Sequence, residues 1–103
     1  MSWLVEFRPE VHEDVTVTAA WYESRESGLG GEFVEEIIAV WEGLAVDPSI
    51  GARKSLSSGV RWKYPDRFPY RVLYSVDENL RTIIIIAVLH AARHDSRWQK
   101  RIP

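Results

Sequence analysis

The chain has 103 residues, of which 46% are hydrophobic and 27% charged, which fits a single globular domain and argues against disorder. It contains no cysteine, which excludes disulfides, thiolate nucleophiles and thiolate zinc sites and suits a reducing cytoplasm. Residues 1–50 carry eleven acidic and two basic side chains and residues 51–103 carry four acidic and eleven basic ones, so the two halves either steer a charged macromolecular partner or neutralise each other within the fold.

The first predicted element is a short strand, in which Trp3, Val5 and Phe7 share one face because side chains alternate along a strand. Pro9 ends this strand, since proline cannot donate a hydrogen bond to a strand ladder. Apolar residues at helical spacing then predict a helix over residues 11–26.

A Gly-Leu-Gly-Gly run at residues 28–31 follows the first helix. It lies between two helices and not after a strand, and no Gly-Lys-Ser/Thr sequence follows it, so we interpret it as a helix–helix turn and not as a phosphate-binding loop. The second helix is predicted over residues 32–46 and ends before Pro48. Two adjacent apolar stripes on this helix suit packing on both the first helix and a sheet.

A polar connector over residues 49–59 leads into the second half, where three further strands are predicted. These strands cover residues 60–64, 70–76 and 81–89, and a turn at residues 77–79 joins the last two. Four consecutive isoleucines, residues 83–86, indicate that the last strand is central and covered on both faces. The order β-α-α-β-β-β predicts an α+β fold in which a helical hairpin packs on a small twisted antiparallel sheet.

No segment of the sequence is suited to crossing a membrane. The longest apolar run, Ile83–Leu89, has seven residues, against the roughly 20 that span a bilayer. The N-terminus shows no basic region followed by a long apolar one, so no secretory signal is expected. We therefore expect a cytoplasmic protein without a membrane partner.

The familiar catalytic and metal-binding patterns are not found. His90 and His94 lie four residues apart, but His90 ends a predicted strand, so the two rings should not share a face and no metal site is expected. No serine stands on a recognisable nucleophile turn. We expect no cofactor and no small-molecule substrate.

The residues that remain for function are basic and lie late in the chain. Arg71 lies on the strand face opposite the tyrosines and valines, and His90 and Arg93 lie at the end of the neighbouring strand. Arginines placed in this way could bind phosphate or carboxylate groups bidentately. The alternative is that Arg71 is a surface residue that pairs with the acidic half of the chain.

Four segments in a fixed order cover nearly the whole chain. They are Ala19-Ala20-Trp21-Tyr22, Gly28-Leu29-Gly30 with Phe33 and Glu36, Phe68-Pro69-Tyr70-Arg71-Val72-Leu73-Tyr74, and Ala87-Val88-Leu89-His90-Ala91-Ala92-Arg93 with Trp98. Together they resemble the RelE/ParE superfamily of bacterial toxins. The resemblance implies one RelE/ParE-like toxin domain over residues 1–103, which belongs to a type II toxin–antitoxin system and is neutralised by a cognate antitoxin in a hetero-oligomer.

The resemblance implies one of two activities. RelE-like members cut messenger RNA on the ribosome, and for that reaction Arg71, His90 and Arg93 would supply a charge clamp and an acid. ParE-like members bind DNA gyrase and need only an interface. No tyrosine follows Tyr74, the pI is about 5.9, and a tryptophan follows the Val-Leu-His-x-x-Arg pattern. These features favour the ParE-like branch.

We therefore expect a stoichiometric DNA gyrase inhibitor and not an enzyme, with growth inhibition and plasmid stabilisation as its roles. A ribosome-dependent mRNA endonuclease is the alternative. The residues expected to contact the target are Arg61, Lys63, Arg71, His90, Arg93, Arg97 and Trp98. Those expected to contact the antitoxin are Trp21, Phe33, Ile37, Trp41 and Leu73.

Overall fold

The computed structural model describes residues 2–50, 53–54, 59–93 and 96–101. Its elements follow in the order β1 (Leu4–Phe7), α1 (Glu10–Arg25), α2 (Leu29–Val46), β2 (Arg53–Lys54), β3 (Arg61–Lys63), β4 (Tyr70–Asp77), β5 (Thr82–His90) and α3 (Ser96–Gln99). The predicted order β-α-α-β-β-β is confirmed, and the two-residue β2 and the four-residue α3 are additional. Most of the predicted connector lies outside the described residues. Within them, no helix combines the length and apolar character that crossing a bilayer requires.

The strands form one sheet in the order β1-β5-β4-β3-β2. β5 is therefore an inner strand with a neighbour on each side, as predicted. It pairs antiparallel with β4 and parallel with β1. The sheet is therefore mixed. The prediction of a sheet that is antiparallel throughout was wrong for β1, which runs parallel to β5. Short connections join β3 to β4 and β4 to β5, and short connections favour antiparallel neighbours. Most of the chain separates β1 from β5, so β1 can pair with β5 in either a parallel or an antiparallel direction.

Both faces of β5 are covered. Ile83 and Ile85 lie in the main core together with residues of α1 and α2, while Ile86 lies in a second cluster that contains Trp98 of α3. A β-bulge between β4 and β5 places Ile86 and its neighbour Ala87 together in this second cluster. α3 thus supplies the cover on the second face that the run of isoleucines predicts.

The turn between α1 and α2 brings the two helices close together. Gly28 has a φ of 90°, a left-handed conformation that glycine adopts without strain. The Glu23 carboxylate accepts hydrogen bonds from the backbone N–H groups of Gly28 and Gly30 at 2.9 and 3.0 Å. A Cβ atom at Gly30 would lie 2.4 Å from the carbonyl oxygen of Ala19. The glycine run is therefore a helix–helix turn, as predicted, although α2 begins within it.

α2 has one buried apolar stripe and one that is only partly covered. Phe33, Ile37 and Leu44 are fully buried in the main core. In the adjacent stripe Ile38 is exposed and Trp41 is partly buried. The apolar face of this helix is thus wider than the surface that the described elements cover.

Candidate target-binding and partner-binding surfaces

Arg71 is held against the sheet and is not a projecting surface residue. It lies in β4 and is 8% exposed. Its guanidinium carbon lies 5.7 Å from the centre of the Trp62 ring, and its Nη2 donates a hydrogen bond to the backbone carbonyl of Arg93 at 3.3 Å. Contacts of this kind fix the direction of an arginine side chain. Arg71 therefore ties β4 to the turn that follows β5.

His90 ends β5 and lies beside Tyr70 of β4, with the ring centres 5.1 Å apart. Its Nδ1 accepts a hydrogen bond from the backbone N–H of Ala92 at 3.0 Å, so the neutral ring carries its proton on Nε2. The backbone N–H of Arg93 donates to the carbonyl oxygen of His90 at 2.9 Å, and the Arg93 side chain is exposed. The fold thus brings Arg71, His90 and Arg93 to one turn.

Arg71 and His90 nevertheless point to opposite faces of the sheet. Tyr70 packs against the main core on the helix side, and His90, its cross-strand partner, points to the same side. Arg71 is the next residue of β4 and therefore points the other way, toward Trp62, which packs on the second cluster. The strand register does not aim the two side chains at one phosphate group.

β3 divides the predicted basic residues in the same way. Arg61 and Lys63 pair with Tyr74 and Val72, both of which belong to the main core. The two basic side chains therefore lie on the helix side of the sheet, away from Arg71, and both are partly exposed. The predicted target-binding residues form two groups on opposite faces and not one continuous patch.

A cleft of about 330 Å³ separates the beginning of α1 from the end of β5. Glu10 and Glu13 of α1 line it on one side, and His90 and Arg93 line it on the other. Because the two walls carry opposite charge, the cleft is not a uniformly positive site of the kind that nucleic-acid phosphates favour.

Asp14 and Arg101 form a largely buried ion pair next to this cleft. Two hydrogen bonds join the guanidinium to the carboxylate at 2.7 and 3.1 Å, and they raise the pKa of Arg101. Asp14 also accepts from the backbone N–H of Val88 at 3.0 Å, and Arg101 donates to the carbonyl of Ile86 at 3.1 Å. The two side chains therefore bond to backbone groups of β5 beyond Ile85, the last residue of β5 that pairs with β1. No sequence pattern pointed to it, because 87 residues separate the partners.

Ion pairs in the described residues join the acidic and basic halves of the chain. Arg67 pairs with Glu32 and Glu36 of α2, and Arg101 pairs with Asp14. Burial on its own would raise the pKa of Glu36, but hydrogen bonds from the side chain and backbone of Arg67 lower that pKa below its usual value. Part of the charge asymmetry is thus neutralised within the fold.

Comparison with known proteins identifies the family. The model of the ParE toxin of the type II toxin–antitoxin system parDE matches residues 5–95. The chain belongs to the ParE toxin family. A comparison with curated protein sequences gives no significant match.

Solved structures share the fold of this ParE-family toxin. A chain of the chromosomal ParDE system of P. aeruginosa is similar with a TM-score of 0.71 and 18% identity, over 86% of this chain and 96% of that one. For the toxin–antitoxin complex RelBE2 of Mycobacterium tuberculosis the values are 0.63 and 17%, over 87% and 99%. A mutant of the E. coli toxin RelE in the free state gives 0.61 and 19% over the whole of both chains. The expected RelE/ParE fold is confirmed.

Four residues that the sequence assigned to interfaces are core residues of the toxin. Trp98 is 2% exposed within the second cluster, and Phe33, Ile37 and Leu73 are fully buried. In this conformation they offer no surface to a target or an antitoxin. Periodicity identifies an apolar face but does not distinguish burial in the chain's own core from burial by a partner, which is why the sequence placed them at interfaces.

Trp21 and Trp41 are the predicted antitoxin contacts that reach the surface. Trp21 is 51% exposed on α1. Trp41 is partly buried on α2 and meets the Phe7 ring edge to face, with the ring centres 4.7 Å apart. These two residues keep the helical hairpin as a candidate partner surface.

Two further residues fall outside the described part of the chain. They are His94 and the side chain of Arg97. That Arg97 contacts the target, and that His90 and His94 hold no metal, therefore stay predictions.

Proposed function

We propose that this ParE-family toxin inhibits bacterial growth by binding DNA gyrase in a stoichiometric complex. The observation that best supports this is the opposite orientation of Arg71 and His90 in the paired strands β4 and β5. Cleavage of RNA requires a base, an acid and charge-stabilising donors that converge on one phosphate. Binding to a protein target requires only a surface, and residues from both faces of a sheet end can contribute to one.

The proposed gyrase-binding surface is centred on the turn after β5. Arg93 is exposed there and His90 is partly exposed, and arginine is a common energetic anchor at protein interfaces. Arg71 supports the turn through its hydrogen bond to the Arg93 carbonyl. In this proposal Arg93 and His90 contact the target, and Arg71 acts as a positioning residue.

A parallel assay on the two candidate targets tests this proposal. Purified toxin is added to DNA gyrase in a supercoiling reaction and to translating ribosomes that carry labelled mRNA. We expect supercoiling to fall and the mRNA to stay intact. Cleavage of mRNA by toxin present at far lower concentration than the ribosomes, with supercoiling unaffected, would identify the nuclease instead.

The mRNA endonuclease is retained as a second candidate because Arg71, His90 and Arg93 meet at one turn. A rearrangement of the strand ends on the ribosome would be needed to aim them at one phosphate. Arg71→Lys separates the candidates, since an ammonium group does not reproduce bidentate contact. A nuclease should lose about 10²- to 10³-fold in rate, whereas a gyrase inhibitor should change much less.

We further propose that a cognate antitoxin neutralises the toxin in the cytoplasm by forming a hetero-oligomer with it. Two of the similar structures come from toxin–antitoxin systems, and α2 leaves an apolar stripe partly uncovered. Co-expression with the protein encoded by the adjacent reading frame should raise the soluble yield and restore growth. A toxin that is equally soluble and harmless when expressed alone would contradict this proposal.

A further inference from the structure

A groove of about 370 Å³ lies where β1 meets α1 and α2, and its lining is mainly apolar. It is formed by Phe7, Arg8, Pro9, Val11, His12 and Trp41. Phe7, which lines the groove, is 48% exposed. An exposed aromatic side chain in an apolar groove is typical of a surface that a partner covers.

Two buried nitrogen atoms of residues that line this groove have no hydrogen-bond partner within the described part of the chain. They are Nε1 of Trp41 and Nε of Arg8. Both groups can only donate, and a buried donor without an acceptor is unfavourable. An acceptor from outside the chain, such as a backbone carbonyl or a carboxylate, would satisfy each donor once its side chain turns toward the groove.

The charge at the groove is opposite to that of the surrounding half of the chain. Residues 1–50 contain eleven acidic and two basic side chains. Among the described residues, however, no acidic side chain lines the groove, whereas Arg8, one of the two basic ones, does. His12 adds a second group that can carry positive charge. The groove therefore favours an acidic ligand, although most of the helical half repels one.

The groove also adjoins a strand edge that is open to pairing. β1 is the outer strand of the sheet, and no strand of the described residues pairs with its far side. Leu4 and Arg8 donate their backbone N–H groups toward β5, so the alternation of a strand turns those of Val5 and Phe7 away from β5. An edge of this kind can accept an added strand from a partner.

We propose that β1 and this groove bind an extended peptide segment that combines acidic and apolar residues. The segment pairs with β1 at residues 5–7, packs an apolar side chain against Phe7 and Trp41, and offers oxygen acceptors to Trp41 Nε1 and Arg8. The inference rests on the proposed function, because it assigns the segment to the antitoxin. It places the antitoxin contact at the β1 edge and not at the buried residues Phe33 and Ile37.

The experiment uses the complete toxin, alone and in complex with the protein encoded by the adjacent reading frame. Amide exchange followed by NMR should show that Val5 and Phe7 become protected in the complex. The indole N–H of Trp41 should shift and exchange more slowly, and it can be assigned among the five tryptophan indoles of the chain. These readouts report new hydrogen bonds at the groove, which a purely structural role of the residues would not produce.

Two variants and a matched control measure the contribution of the groove. Trp41→Phe removes the indole donor and keeps an aromatic ring, and Phe7→Ala removes the apolar contact. Each should weaken binding of the adjacent-frame protein by about 10-fold or more. Leu80→Ala truncates a side chain that is 69% exposed at the turn between β4 and β5, and it should leave binding unchanged. Thermal melting checks that each variant is folded.

The outcomes separate this inference from the proposed function. Tight binding without protection of β1, unchanged by Trp41→Phe and Phe7→Ala, overturns the groove and leaves the antitoxin relationship standing. Failure of the adjacent-frame protein to bind the wild-type toxin overturns both. If the toxin alone dimerises in sedimentation and Phe7→Ala abolishes the dimer, the occupant is a second copy of the chain and the inference is also overturned.

Discussion

Trp98 closes the second cluster, where it packs with Val60, Leu73 and Ile86. Truncation of a buried aromatic residue loses its transfer free energy and leaves a cavity. We expect Trp98→Ala to lower the free energy of unfolding by about 3–5 kcal/mol. Trp21→Ala, on the exposed face of α1, should change it by less than about 1 kcal/mol. Urea denaturation measures both values, and equal losses would contradict the assignment of Trp98 to the core.

Glu36 links the stability of the toxin to pH. Burial opposes ionisation of its carboxyl group, but the hydrogen bonds from Arg67 outweigh this and hold the pKa below its usual value. The stabilising contribution is therefore fully present above the usual pKa and is lost as the pH falls through the lowered pKa of the folded state. Urea denaturation at pH 7, 5 and 3 measures the free energy of unfolding of wild type and of Glu36→Gln, and the difference between the two should narrow at the lowest pH. A difference that stays constant down to pH 3 would contradict a stabilising role for the ionised Glu36 carboxylate.

The helical hairpin depends on one glycine much more than on its neighbour. A Cβ atom at Gly30 would meet the Ala19 carbonyl at 2.4 Å, whereas a Cβ atom at Gly31 would meet nothing within 4 Å. We expect Gly30→Ala to destabilise the toxin by about 1–3 kcal/mol, because α1 and α2 must move apart. Gly31→Ala should instead stabilise it by about 0.5–1 kcal/mol, since alanine loses less conformational entropy in a helix. Thermal melting of the matched pair tests this, and similar melting temperatures for the two variants would contradict the close approach.

The order of the elements could be predicted from the sequence, but the direction of β1 and the presence of α3 could not. Periodicity and turn residues are local signals, and they located both long helices, the central strand and the glycine turn. The parallel pairing of β1 with β5 depends on contacts between residues such as Leu4 and Thr82, which are far apart in sequence. A single turn of helix such as α3 carries too few residues for a periodic pattern.

The site could be predicted less completely than the fold. The sequence correctly predicted that Arg71, His90 and Arg93 lie close together, because the ends of adjacent strands are aligned. It did not reveal that Arg71 and His90 face opposite sides, since that depends on the register between β4 and β5. Nor did it reveal the Asp14–Arg101 pair, whose partners meet only in the folded chain.

Over the whole molecule, the charge distribution and the groove suggest two separate surfaces. His90 and Arg93 line the cleft at the end of β5 together with acidic residues of α1. The apolar groove with Arg8 lies beside β1, the edge strand that pairs with β5, where that strand meets the helical layer. Because different residues line the two surfaces, an antitoxin held at β1 could block the target by covering the turn with another part of its chain. Both surfaces depend on the same central strand, β5, for their position.

The stoichiometry of gyrase inhibition tests the central proposal most directly. Purified toxin is titrated into supercoiling reactions at two gyrase concentrations that differ tenfold. A stoichiometric inhibitor, which needs no catalytic group, should reach its end point near the gyrase concentration, so the end point should move about tenfold between the two titrations. An end point that does not change with the gyrase concentration, together with inhibition that increases over time at trace amounts of toxin, would contradict the proposal. Full supercoiling at every toxin concentration would also contradict it.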